Sequence, residues 1–339
     1  MKDILVTGGF GFIGSRLVET LLGNDPDCNV HVVDDLSTSP IDIDDYITQL
    51  NSDRFSFHVM TVDDYFRNYI YLRKPFDEVY HLASPVGPAS VIKQGGHMVG
   101  MVVNDIYLIM KYCIGVGTKL LDVSTSEVYG GGDDNGLCSE LTPKIFKHNV
   151  NMRMEYAIAK LAAETAIVNT CKMTDLYAVI IRPFNVAGQR QSLDGGFVVP
   201  RFIQQALNRL PFTVFNEGED IRAFTHVNDI VDGLILAMTK GKSGSIYNLG
   251  NPDNKVKIKE LPAIINRILG TDSPIEFVDP KKLYGDYYES ADDKYPVSDK
   301  ANDELNWHPW RSIAQIIADY HYEYQRQLEA GVLTQKIIK

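Results

Sequence analysis

The chain opens on a strand pattern that runs straight into a glycine turn. "DILVTG" is the short apolar run of a buried strand. "TGGFGFIGS" then places Gly8, Gly11 and Gly14 across the turn and into an amphipathic helical pattern, "FIGSRLVETLLG", that ends at Gly23. Few architectures tolerate this order. Glycines allow a tight bend and a close approach of backbone N–H groups to a bound group, and the helix N-terminus adds partial positive charge. The stretch therefore predicts a strand and helix packed together with an anion site at their junction.

The pattern then repeats. "NVHVVDD", "FSFHVM", "FDEVYHLA", "KLLDVST" and "LYAVIIRPF" read as strands, with helical stretches such as "MVVNDIYLIMKYC" between several of them. Strand and helix alternating at this spacing predict an α/β fold, a doubly wound parallel sheet covered on both faces. After about Asn185 the pattern loosens into loops ("AGQRQSLDGG", "NEGEDI") and helices ("VVPRFIQQALNRL", "VNDIVDGLILAM"). The expected division is a sheet domain over 1–184 and a smaller lobe over 185–339, with 225–250 returning to the sheet domain.

Composition narrows the classes. A chain of 339 residues that is 45% hydrophobic can bury a large core. No run reaches 18 continuous apolar residues, so no membrane span or membrane partner is expected. "MKDILVTGG" lacks the long apolar region of a signal peptide, which points to the cytoplasm. Cys28, Cys113, Cys138 and Cys171 lie far apart without metal-type spacing, so reduced thiols and no metal are expected. A formal net charge of −11 argues against nucleic acid as a partner. It leaves room for a small anionic ligand held by local arginines.

Two sites stand out. Asp34 ends the second strand, 20 residues after Gly14. An acid there can hold ribose hydroxyls and repels a 2′-phosphate, so the expected cofactor is NAD rather than NADP. "EYAIAKLAAE" puts Tyr156 and Lys160 four residues apart on one helix face. Such a spacing is common by chance. Behind a dinucleotide turn it reads as a phenol whose pKa, ordinarily near 10, is lowered by the ammonium so that it can take a proton from an alcohol. Glu127 raises a further question, because it stands among Thr125, Ser126 and Val128 where capping of the adjacent helix or loop is the plain alternative.

"TGGFGFIGS", "HLASP", "STSEVYG", "YAIAK", "RPFNVAG" and "RAFTHVNDIVDGL" together resemble the extended short-chain dehydrogenase/reductase family (the NAD-dependent epimerases and dehydratases), over essentially the whole chain. "HLASP", "STSEVYG", "YNLGNP" and Arg153 are similar to the UDP-glucuronate decarboxylase (UDP-xylose synthase) branch. The resemblance implies a Rossmann-type sheet domain, a C-terminal lobe for the sugar nucleotide, and a homodimer built on "MVVNDIYLIMKYCIG" and the Tyr156 helix. It implies NAD contacts from Gly8, Gly11, Phe12, Ile13, Gly14, Asp34, Asp35, Thr38, Val62, Leu82, Ala83, Ser84, Tyr156 and Lys160. It makes Tyr156 the base, Lys160 its electrostatic partner, Thr125 a hydrogen-bond donor to the reacting hydroxyl, and Ser126 and Glu127 catalytic neighbours. Pro85, Asn185, Phe215, Arg222 and Lys294 are the implied substrate contacts, Asn185 and Arg222 at the diphosphate and Phe215 at the base. The chain departs from the branch at Thr61, where an adenine-contacting aspartate is expected, and at Lys294, which stands in the place of an arginine.

Three reactions share oxidation of the sugar at C4. An epimerase needs no acid beyond the tyrosine, and a 4,6-dehydratase carries Asp-Glu where this chain has Ser126-Glu127. A decarboxylase uses a carboxylate with a neighbouring hydroxyl. The expected function is therefore a UDP-glucuronate decarboxylase that recycles NAD and gives UDP-xylose. A UDP-sugar 4-epimerase or 4,6-dehydratase is the alternative. An inactive NAD-binding regulatory protein is the reading from another class, and the intact Thr125, Tyr156 and Lys160 speak against it.

Overall fold

The computed structural model describes residues 1–133, 135–146, 151–285, 293–329 and 331. Its centre is a sheet of seven strands: β1 (Lys2–Thr7), β2 (Cys28–Asp34), β3 (Phe55–Val59), β4 (Glu78–His81), β5 (Lys119–Val123), β6 (Ala178–Pro183) and β7 (Ile246–Leu249). Every pairing is parallel, and the order is β3-β2-β1-β4-β5-β6-β7. The fold is thus a Rossmann-type doubly wound α/β sheet. Its order reverses between β1 and β4, which opens a crevice beyond their C-terminal ends.

Alternation along each strand supplies both faces. Val6, Val32, Leu121, Val123 and Ile181 point to the side of helix Phe12–Asn24 and helix Val227–Lys240. Leu5, Val33, Val79, Leu120 and Ile180 point to the side of helix Met98–Val116 and helix Met152–Met173. Among the described residues, Met98–Val116 is a helix long and apolar enough by composition to cross a membrane. It carries Asn104, Asp105 and Lys111, and it buries Ile106, Ile109, Tyr112 and Cys113 against the sheet.

The C-terminal lobe has its own core. Phe202, Phe212, Val214, Leu261, Ile316 and Tyr320 pack together from the helices Val198–Leu207, Leu261–Leu269 and Ile313–Glu329 and the parallel pair Phe212–Phe215/Ile275–Val278. Arg190 ties the two regions, with ion pairs to Glu19 (2.5 Å) on the first helix and Glu323 (3.2 Å) on the last.

Candidate active site

A cavity of about 1060 Å³ runs from the glycine turn at β1 to Phe215 in the C-terminal lobe. Every residue the sequence assigns to cofactor, catalysis or substrate lines it, from Gly8, Asp34 and Val62 through Thr125, Glu127 and Tyr156 to Asn185, Arg222 and Lys294.

The end at the glycine turn is built of backbone. Gly8 has φ +73°, and a Cβ there would lie 2.8 Å from the Ala83 nitrogen. A Cβ on Gly14 would lie 2.0 Å from the Gly8 carbonyl oxygen. The helix that starts at Phe12 has no side-chain cap and no acid in its first turn, so its N–H groups remain for a ligand. Asp34 accepts from the Phe10 N–H (3.0 Å) and the Leu36 N–H (2.8 Å), which fixes its carboxylate at the cavity wall. Burial pushes its pKa up. Asp35 accepts from the N–H and hydroxyl of Ser37, beside Thr38. Thr61 is spent on capping the helix Val62–Asn68, where its Oγ1 accepts from the Asp64 N–H at 3.1 Å. After β4, Leu82, Ala83, Ser84 and Pro85 form the opposite wall, and the buried Ser84 hydroxyl has no hydrogen-bond partner among the described residues. Paired phosphates on the free N–H groups, ribose hydroxyls on Asp34 and a group on Ser84 are what a dinucleotide offers, so these residues fit one.

In the middle, β5 delivers Ser124, Thr125, Ser126 and Glu127. The Ser124 hydroxyl turns into the core and donates to Glu164 (2.5 Å), which also pairs with buried Arg182. Thr125 faces the Tyr156 phenol. Tyr156 and Lys160 are 7% and 1% exposed, and the Lys160 ammonium donates to the Val123 carbonyl at 3.0 Å. The expectation that the ammonium lowers the phenol's pKa is not met in this chain alone. Burial pushes the phenol above its ordinary value; Thr125 opposes this, while Glu127 and Asp122 add to it. Lys160 is itself shifted down by burial.

Glu127 does not cap. Its N–H is capped by Thr125 Oγ1 at 3.2 Å, and its carboxylate is gripped by two cations. Arg153 Nε donates to Oε2 at 2.7 Å, and Lys294 Nζ lies 3.0 Å from Oε1. Burial alone would raise this carboxyl; Lys294 and Arg153 outweigh it and hold it far below the usual carboxylate range. Lys294 is 3% exposed, and its ammonium carries three N–H donors against the single Glu127 oxygen it pairs with among the described residues.

Beyond lies the lobe. Phe215 stacks on Arg201, whose guanidinium carbon sits 4.1 Å from the ring centre. Arg222 pairs with Asp293 (3.0 Å) and Asp220 (3.6 Å) at the cavity wall, and the Asn185 side chain donates to the Ala223 carbonyl (3.3 Å). Sequence reasoning left Arg153, Arg201 and Asp105 out of the site. Arg153 carried a usable signal: it lies three residues before Tyr156 and seven before Lys160, the spacing of one helix face. Arg201 and Asp105 carried none, because only the folded chain brings them to the cavity.

A glycine-turned parallel sheet, a Tyr-Lys pair at the end of β5 and a lobe that lines the same cavity define an enzyme that works on a substrate beside a bound dinucleotide. The chain belongs to the NAD dependent epimerase/dehydratase family, whose model matches residues 4–250. It is 30% identical over 318 residues to UDP-glucuronic acid decarboxylase 1 of Arabidopsis thaliana, covering 92% of this chain and 67% of that protein. It is 29% identical over 311 residues to UDP-N-acetyl-alpha-D-glucosaminuronate decarboxylase of Bacillus cytotoxicus, covering 91% of this chain and 93% of that protein. Its fold matches that of UDP-glucuronic acid 4-epimerase from Bacillus cereus, solved with UDP-glucuronic acid and NAD, with a TM-score of 0.80, 26% identity, and coverage of 96% and 99% of the two chains.

Proposed function

We propose that this protein is an NAD-retaining decarboxylase of a UDP-linked uronic acid, with UDP-glucuronate as substrate and UDP-xylose as product. The observation that carries the reading is the buried Lys294 ammonium beside Glu127. Lys294 spends one contact on Glu127 and, with three N–H donors, can take a second carboxylate beside it. The substrate's carboxylate fits that second contact, which a neutral hexose would not use. The relatives named as decarboxylases support the same reading.

NAD would be held by Gly8, Gly11 to Gly14, Asp34, Asp35, Thr38, Val62, Leu82 to Ser84 and Lys160. When bound there, NAD would supply a reversible hydride acceptor for C4 and a positive ring near the buried phenol. Tyr156 takes the 4-hydroxyl proton while Thr125 fixes that oxygen. With C4 a ketone, the substrate is a β-keto acid. The C5–C6 bond breaks, carbon dioxide leaves, the electron pair passes to a C4–C5 enolate, and a water held at the Glu127 carboxylate gives its proton to C5, the hydroxide left behind taking up the carbon dioxide as bicarbonate. Glu127 is a weak base while both cations grip it. It gains basicity when Lys294 turns to the substrate carboxylate, which couples binding to the later proton transfer, with Ser126 alongside. Pro85, Asn185, Arg222 and Phe215 position the nucleotide.

The 4-epimerase reading is kept because a likeness to a UDP-glucuronic acid 4-epimerase exists. Release of carbon dioxide from UDP-glucuronate, with solvent deuterium at C5 seen by NMR, supports the decarboxylase. Inversion at C4 without carbon dioxide moves the assignment to the epimerase. A homodimer is proposed on the exposed Val99, Tyr107 and Ile114 of one helix and Ile158 of its neighbour. Cytoplasmic residence is proposed on the four free thiols.

A further inference from the structure

Thr7, His81 and Asp122 are paired neighbours across β1, β4 and β5. Their side chains therefore stand in one row on one face of the sheet. That face is the one under helices Met98–Val116 and Met152–Met173, since Leu120, two residues before Asp122, packs there. The row is polar in otherwise apolar surroundings. Thr7 Oγ1 and His81 Nδ1 are 2.7 Å apart, and His81 Nε2 stands 4.0 Å from Asp122 Oδ1. Asp122 is 1% exposed, and its Oδ2 has no hydrogen-bond partner among the described residues. An ionised carboxylate so placed is strongly unfavourable without a cation beside it.

The cation that acts on it is Lys160, on the helix that covers this face and beyond direct ion-pair contact. Its ammonium is anchored on the carbonyl of Val123, the residue after Asp122. Burial works against its charge; Asp122 foremost, then Asp105 and Glu164, work for it. His81 from β4 stands against Asp122; Lys160, Glu164 and Tyr156 from helix Met152–Met173 interact with it electrostatically, and Asp105 of the neighbouring helix acts on Lys160. His81 is pushed down to about 3 by burial and so is neutral. Glu164 is already matched by Arg182. Burial raises Asp122 to about 6, against the pull of Lys160.

We propose that Asp122 is a positioning residue for the Tyr156–Lys160 pair: ionised at the end of the Thr7–His81–Asp122 row, it is the counter-ion that keeps the Lys160 ammonium charged inside the core. This rests on the reading of Tyr156 and Lys160 as the alcohol-oxidising pair. A charged Lys160 is what lets negative charge develop on Tyr156; a neutral amine gives no such help.

The test is NMR titration of the full-length protein carrying [15Nζ]lysine, with the Lys160 signal assigned by its loss in Lys160→Met. Lys160 should be charged at pH 7.5 in the unmodified protein. Asp122→Asn should lower its proton affinity about tenfold and move the alkaline limb of turnover toward neutral pH. Asp122→Leu, which suits the apolar face, should do the same if the Asn variant does not fold. An unchanged Lys160 titration in either folded variant overturns the proposal. So does a neutral Lys160 at pH 7.5 in the unmodified protein, a result that needs no variant. A merely structural Asp122 would change the melting temperature and leave the titration alone. If Lys160 behaves as expected but no UDP-sugar is turned over, the enzymatic reading fails and the counter-ion stands.

Discussion

The two ends of the cavity are made of different things. At the glycine turn, position is set by backbone: Gly8 and Gly14 leave room that a methyl group would fill, and an uncapped helix presents N–H groups. Toward the lobe, position is set by side chains from distant parts of the chain, with Glu127, Arg153 and Lys294 meeting in one buried cluster. A backbone site is insensitive to most side-chain changes and intolerant of added bulk. A charged side-chain site is the reverse, since removing one member strands the others.

The largest effect is expected between these ends. Tyr156→Phe keeps the packing of a ring that is 7% exposed and removes the proton acceptor. Turnover should fall by ~10² to 10⁴ while NAD binding, followed by fluorescence, stays near normal. A Phe variant with ordinary turnover would remove Tyr156 from the chemistry.

Next come one change at each end. Gly8→Ala forces a side chain into φ +73° and sets its Cβ 2.8 Å from the Ala83 nitrogen. Strain of that kind should weaken NAD binding by roughly 10- to 100-fold. Lys294→Ala leaves Glu127 with Arg153 alone and the substrate carboxylate without its ammonium, so kcat/KM for UDP-glucuronate should drop by a similar ~10- to 100-fold with NAD binding unchanged. Isothermal titration with NAD and steady-state kinetics on both variants would show whether the two ends fail separately. Loss of NAD affinity in the Lys294 variant would break the contrast.

A smaller effect is expected from Asp34→Ala, a side-chain change at the backbone end. The preference for NAD over NADP should relax by about tenfold, the loss of one charged hydrogen-bond acceptor. Equal affinity of the unmodified protein for the two cofactors would show that Asp34 does not face the ribose.

The same contrast explains what the sequence reveals. The glycine turn, Asp34 and six of the seven strands are local patterns, each readable within about ten residues. The seventh strand, Ile246–Leu249, is four residues long and its place beside β6 is settled by pairing over more than 60 positions, which local periodicity does not carry. Tyr156 and Lys160 are legible because a helix turn brings them together. The grip of Arg153 and Lys294 on Glu127 is not, because it joins residues 26 and 167 positions away that only tertiary folding brings near. The upward shift of Tyr156 is not legible either, because burial is not a property of a spacing.

The smallest effect concerns Asp105, a side chain on helix Met98–Val116 that lines the cavity together with Asp34, Asp35 and Asp63. Burial raises it to about 7, with Asp63 adding and Asn104 and Lys160 opposing. An aspartate in the unfolded chain titrates near 4. Between those values the folded protein holds a proton that the unfolded chain has released, so this contribution to stability is present at about pH 4 and lost as pH rises to about 7. Bound NAD brings further negative charge into the same cavity, so its affinity should also decline as pH rises through about 7. Asp105→Asn mimics the protonated form and should flatten both dependences, raising the melting temperature at pH 8 by about 2 °C and tightening NAD a few-fold there, with little change at pH 5. Thermal melts and NAD titrations across pH 5 to 8 read both. An unaltered pH dependence in the variant would mean that the Asp105 carboxylate is ionised throughout this range, and that the glycine-turn end tolerates its charges as readily as the side toward the lobe does.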